Sequence, residues 1–395
     1  MALTGRADGP PLPAPGDPAG AVRRALDRVA DATRERTGAM ATLPGVQLLG
    51  ERAAIAGLGR RGPWSCGGAF RTLPTADGWI GLSLPREDDV ALVPALVEAE
   101  ADDAWGAVGA WALRSKSADA AERIELLGLP GGAVPAVPPA DRSAVVVTEG
   151  AARQRLREFP RIVDLTSLWA GPLCAHLLGL GGAEVVKVES TRRPDGSRRG
   201  PTEFFDLLHY GHAMVVLDFH DPADVQRLRE LLANADLVLE ASRPRALRQL
   251  GVVAEDFVAE GISWLSITAR GRASNAIGFG DDVAATAGLA AWSDGMPMPC
   301  GDALADPLAG VVAAAAASEA LTATHARLID VSMRHVAADA ARGPVEPNLV
   351  LYEDDSWWVE APSGRFPVAA PTARRAPEPA GALGADTARM LRTHR

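Results

Sequence analysis

From residue 161 onward, short apolar runs alternate with stretches of helical periodicity. Runs of Val, Ile and Leu at 161–165, 183–189, 214–218, 237–240 and 262–267 read as strands, and residues 173–180 and 223–233 read as helices. Strand–helix alternation of this kind predicts an α/β fold built on a doubly wound parallel sheet. Upstream, the periodicity predicts a helix over 21–36. Residues 45–135 have mixed character, with a strand over 78–84 and a helical stretch over 90–113. Residues 1–20 are dense in Pro and Gly and read as a disordered tail. The Pro-rich stretch within 136–155 reads as a linker.

Composition narrows the class without changing that picture. The 395 residues allow two or three domains and a large core, and 47% hydrophobic with 23% charged residues suits a soluble globular chain. A net charge of −10 argues against a general nucleic-acid binder. Three cysteines far apart and scattered histidines indicate neither a disulfide framework nor a metal site. No apolar run reaches the ~20 residues that span a bilayer, and the N-terminus lacks a signal pattern, so a reduced cytoplasmic setting is expected.

Two local features carry candidate chemistry. Gly179, Gly181 and Gly182 invite a dinucleotide-binding reading, but they follow a helix and precede a strand. The pyrophosphate fingerprint needs its glycines between strand and helix, so these read as a helix stop and tight turn. The ligand position belongs instead to the loop 166–172. The second feature is Asp306-Pro307 ahead of an alanine-rich run. It reads as an N-cap followed by a first-turn proline, with the helix dipole favouring an ionised carboxylate. Such a carboxylate serves as a cap, or as a nucleophile.

Six segments together resemble the class III CoA-transferases, the family of formyl-CoA transferase and carnitine CoA-transferase, which also includes α-methylacyl-CoA racemase. They are VDLTSLWAGPLCAHLLGLGGAEVVKVES (163–190), MVVLDFHDP (214–222), ADLVLEASRPRALRQLG (235–251), ADPLAG (305–310), LIDVSM (328–333) and GALGADTARML (381–391). The resemblance implies a Rossmann-like large domain over 156–335, completed by 336–395, with a smaller α+β domain and an interlocked homodimer. Residues 64–80 are similar to the family's small domain, which would place that element first in this chain, within an N-terminal domain over 21–150. An independent extra domain is the alternative.

By the same resemblance Asp306 is the nucleophile, and coenzyme A, as an acyl-CoA, is a substrate rather than a permanently bound cofactor. A carboxylic acid is the acceptor, and no metal, nucleic acid or membrane is involved. Ser167, Leu168, Trp169 and Ala170 would lie along the CoA chain, with Arg192, His212, Ser242, Arg243 and Arg248 toward its phosphates and nucleotide. Arg193, Arg198 and Arg199 extend the basic cluster. The chain departs from the family where His209-Tyr210-Gly211-His212 replaces an Asn-x-x-Lys element, with His212 retaining at most a pH-dependent charge. It departs again where Trp169 replaces a glutamine. Two rivals remain open. A racemase on the same fold needs a His–Asp acid–base pair, and no histidine lies between His220 and His325. A CoA-binding homologue without turnover is the other.

Overall fold

The computed structural model describes residues 1–153, 156–242 and 244–391. Its frame is a seven-stranded sheet in the order Val145–Ala152, His325–Ser332, Ser263–Thr268, Leu237–Glu240, Arg161–Asp164, Glu184–Ser190, Ala213–Leu217. All neighbours pair in parallel except the edge strand Val145–Ala152, which runs antiparallel to His325–Ser332. Five of these strands and both intervening helices, Ala170–Leu180 and Pro222–Ala233, lie where the hydrophobic pattern predicts them. Interior strands buried on both faces explain why they read as continuous Val/Leu/Ile runs. Asp221 caps its helix onto Ala223 with Pro222 at the first position.

Arg161–Asp164 lies between its successor Glu184–Ser190 and the later strand Leu237–Glu240. The chain therefore reverses its winding direction there, opening a crevice at the carboxyl ends of the strands.

The alanine-rich helix Ala305–Thr322 is buried nearly all round, against Pro18–Thr37 and Ala170–Leu180. Small side chains let these backbones approach closely. A Cβ at Gly310 would stand 2.6 Å from the carbonyl oxygen of Ala170, so only glycine fits there.

Three expectations are corrected. Residues 1–20 are packed rather than disordered: Leu3 and Thr4 are buried, Thr4 Oγ1 accepts from the Gly301 amide at 3.0 Å, and Asp17 caps the helix Pro18–Thr37. That helix contributes Val22, Leu26 and Val29 to the same core as Ala305–Thr322. The stretch read as a linker contains the edge strand Val145–Ala152, whose residues 146–149 are all exposed and which directly follows the proline-rich context. The helical stretch over 90–113 is interrupted between Val93–Val97 and Ala104–Ala112, where Glu98 adopts a left-handed φ of 58°.

Strands Phe70–Pro74, Trp79–Ser83 and Gly131–Ala133 form a separate antiparallel sheet, whose core joins Leu73, Ile80 and Leu82 to helical Leu96, Val108 and Ile124. Near the C-terminus, Asp386 and Thr387 clamp the outer edge strand by accepting from the amides of Met214 (2.9 Å) and Val216 (3.0 Å). Among the described residues no helix is long and apolar enough to cross a membrane.

Candidate active site

The crevice is occupied by a cavity of ≈ 710 Å³. Loops after five parallel strands build it: Ser167, Leu168, Ala170 and Gly171; Arg192 to Gly196 with Arg198 and Arg199; Ala241 and Ser242; Ala269, Ser274 and Ala276 to Phe279; and Met333. Asp306 faces it from the start of the buried helix. Volume and position are those of a small-molecule site.

Asp306 is not the N-cap. The helix begins at Ala305 with Leu304 in the cap position, so Asp306 occupies the first turn. The preceding turn forces this: Gly301 and Ala303 both have left-handed φ, 64° and 45°. Ala303 is held in that costly conformation by two bonds. Its amide donates to Asp281 Oδ1 at 2.9 Å, and its carbonyl accepts from the Asp306 amide at 2.9 Å. The Asp306 carboxyl accepts from the Gly280 amide.

The expectation of a readily ionised carboxylate is also corrected. Burial pushes the Asp306 carboxyl up to about 7, Arg52 pulls it down, and Asp281 adds to the rise. Desolvation thus outweighs the helix terminus. Asp281 is likewise raised to about 6, by burial and then by Asp302. Arg52 grips the fully buried Asp302 through both nitrogens of a fork, Nε to Oδ2 at 2.9 Å and Nη2 to Oδ1. Its guanidinium also lies 5.1 Å from the centre of the Trp169 ring.

The two loops on the other side of the cavity are tied to each other from below. Lys187 is fully buried; its Nζ donates to Asp195 Oδ2 at 2.8 Å and to the Thr166 carbonyl, with Asp164 Oδ2 at 3.7 Å. Burial opposes its charge, but Asp164 and Asp195 win and hold the ammonium protonated. Asp195 Oδ1 in turn accepts from the amides of Leu168 (3.0 Å) and Ser197 (2.9 Å). Leu168 sits at a φ of 73°, a strained geometry for a branched side chain. Arg198 forks onto Glu189 and lies over Phe205, so it braces the loop. Arg193 and Arg199 are exposed and have no ion-pair partner among the described residues.

Of the residues expected at the site, Ser167, Leu168, Ala170, Arg192, Ser242 and Asp306 all line the cavity. Three do not. Trp169 turns into the core, edge-on to Phe204 with ring centres 5.3 Å apart. His212 is buried behind the helix Ala170–Leu180, and burial with the nearby Lys187 pushes its imidazole down to about 3, so it is neutral. Arg248 is exposed on the helix Pro244–Gln249 and pairs with Glu255 at 3.1 Å. Arg243 lies outside the described residues. Arg52, Asp302 and the cavity-lining Arg86 are not legible as site residues in the sequence, since nothing near them along the chain links them to Asp306.

Residues 160–343 match the family described as CoA-transferase family III. The chain is 30% identical over 176 residues to the succinyl-CoA–D-citramalate CoA-transferase of Chloroflexus aurantiacus, covering 41% of this chain and 44% of that one. It is 32% identical over 171 residues to the succinyl-CoA:glutarate CoA-transferase of Mus musculus, covering 40% and 39%. The chain thus spans less than half the length of these relatives. A crystal structure of a hypothetical protein (Rv3272) from Mycobacterium tuberculosis superposes with a TM-score of 0.47 at 27% identity, over 54% of this chain and 66% of that one. The segment that supplies most of the cavity wall and Asp306, residues 160–343, is thus the part of the chain that matches CoA-transferase family III.

Proposed function

We propose that the protein transfers CoA between carboxylic acids with Asp306 as the nucleophile. The observation that carries this is the placing of one positioned carboxyl in a cavity whose rim is rich in arginine. A carboxylate is a poor acceptor of a thiolate, so an enzyme carboxylate divides the task. An Asp306 oxygen attacks the thioester carbonyl, the C–S bond breaks, and CoA thiolate leaves behind a mixed anhydride. The thiolate then attacks the Asp306 carbonyl, releasing the donor acid and leaving an aspartyl-CoA thioester. The acceptor carboxylate repeats the sequence in reverse, and Asp306 is regenerated. No net proton or electron is consumed.

Arg193 and Arg199, unpaired among the described residues, are the cations for the CoA phosphates. The double variant Arg193→Gln/Arg199→Gln is expected to raise KM for acyl-CoA about tenfold with little change in kcat, checked by steady-state kinetics. The homodimer, the cytoplasmic setting and the early placing of the small domain belong to the same proposal.

The test is mass spectrometry of the protein after incubation with a panel of acyl-CoA thioesters, with hydroxylamine trapping. A label on the peptide bearing Asp306 is the expected result. The racemase alternative predicts exchange of the substrate α-proton in deuterated water with no such label. The cavity offers it no imidazole, since no histidine is among the described residues lining it.

The pH dependence follows from burial. Asp306 attacks only when ionised, and its carboxyl titrates at about 7. The rate of adduct formation is therefore expected to rise through neutral pH and to fall about tenfold per unit below it. A plateau extending down to pH 5 sinks that expectation.

A further inference from the structure

We propose that Arg52, from the N-terminal block outside the family-matched segment, is the positioning residue for the carboxyl cluster around Asp306 and the cation that offsets part of the cost of charging the nucleophile. The inference rests on the reading of Asp306 as nucleophile.

Three carboxyls converge where the helix Ala305–Thr322 begins. Asp281 comes from the helix Gly280–Thr286, Asp302 from the left-handed turn, and Asp306 from the first helical turn. They are joined structurally as well as electrically. The Ala303 amide donates to Asp281, the Ala303 carbonyl receives the Asp306 amide, and the Gly280 amide donates to the Asp306 carboxyl. Three like charges this close raise one another's cost of ionisation.

Against them stands the guanidinium of Arg52, on the helix Glu51–Ala56. Its neighbour Glu51 does not compete for it, being spent on Arg374 at 2.6 Å. The nearby Cys66 thiol is pushed up to about 12, by burial first and then by Asp302 and Asp281, and so contributes no charge. Asp282 points away, accepting from Ser83 at 2.8 Å. Through this cluster Arg52 pulls the Asp306 carboxyl down against its burial.

Its geometry suits that task. The fork onto Asp302 and the Trp169 ring fix the guanidinium plane, and a planar fork holds direction as a lysine ammonium does not. Arg52 is not among the residues lining the cavity, so it acts through Asp306 and not on CoA. Trp169 acquires a role by the same route: it is the platform under the cation instead of a contact to the pantetheine.

The test compares Arg52→Gln, Arg52→Lys and Asp302→Asn in single-turnover formation of the Asp306 adduct, measured as a function of pH. Arg52→Gln is expected to move the ionisation limb up by about one unit, a rate loss of about tenfold at neutral pH, with KM for acyl-CoA unchanged. Arg52→Lys retains the charge without the fork, and its limb is expected between those of wild type and Arg52→Gln. Asp302→Asn removes a competing carboxylate and releases Arg52 toward Asp306, so its limb is expected to move down. Shifts of opposite sign separate an electrostatic role from general disruption. If Arg52→Gln fails to fold, the Arg52→Lys and Asp302→Asn limbs decide. Limbs coincident with wild type in every folded variant overturn the Arg52 inference while leaving the nucleophile in place. A wild-type protein without an Asp306 adduct overturns the nucleophile reading itself.

Discussion

Replacing Asp306 by asparagine is expected to lower CoA transfer by about a thousandfold or more and to leave the protein folded. The amide has nearly the same shape, and its side-chain oxygen still accepts from the Gly280 amide, but it has no anionic oxygen to attack a thioester. Stability should move in the opposite direction to activity. The wild-type carboxyl titrates at about 7 in the folded protein, against about 3.9 for an exposed aspartate. Between those values the unfolded chain has released its proton while the folded one has kept it. The wild type therefore loses stability as pH rises from ~4 to ~7, and the loss is complete above the folded value. Asp306→Asn removes that liability. Its melting temperature is expected to match wild type near pH 4 and to exceed it increasingly up to about pH 7. A variant that is inactive and also less stable at pH 8 contradicts this account.

The second large effect is on folding. Lys187→Met is expected to destabilise the protein by about 3–5 kcal/mol, because it leaves Asp164 and Asp195 buried without their cation. The methionine fills most of the space, so the loss is electrostatic rather than a cavity. Adding Asp195→Asn to Lys187→Met is expected to recover part of the stability, since a neutral amide is cheaper to bury than an orphaned charge. It should not recover CoA affinity. Asp195 holds the Leu168 and Ser197 amides, and an amide oxygen holds them less firmly than a carboxylate. Thermal unfolding and KM for acyl-CoA, measured on both variants, check the two halves of the claim. Equal stability of Lys187→Met and wild type would show that the buried cluster contributes nothing to folding.

Both effects concern residues whose place in the fold is legible in the amino-acid sequence. Lys187 stands within a Val-rich run that could only be an interior strand. A lysine there must find acids or fail to fold. Asp306 stands beside a proline at the start of an alanine-rich helix. Even so, the local pattern misplaces Asp306 by two positions along the helix. Two left-handed residues, Gly301 and Ala303, begin the turn early and move the start to Ala305.

The basic cluster 192–199 is legible as a loop after a strand. Its division of labour is not: Arg198 braces the loop against Glu189, while Arg193 and Arg199 have no ion-pair partner among the described residues. The misjudged positions share a cause. Trp169 and His212 invite a reading by their chemistry, yet an indole and an imidazole are also large groups that fill core space. Here Trp169 lies at the junction of the helix Ala170–Leu180 with Phe204, and His212 behind that same helix.

Pattern along the chain is enough to set the strand–helix alternation, the winding of the sheet and hence the position of the crevice. Side-chain period and the right-handed crossover of parallel strands depend only on neighbours in sequence. The same pattern puts a carboxyl at the start of the buried helix. How that carboxyl behaves is a matter of tertiary contacts alone. Helix position favours its ionisation, burial opposes it more strongly, and a guanidinium from a segment far earlier in the chain offsets part of that opposition. Desolvation and charge–charge terms depend on which distant segments meet in space, and no local pattern of residues records that meeting.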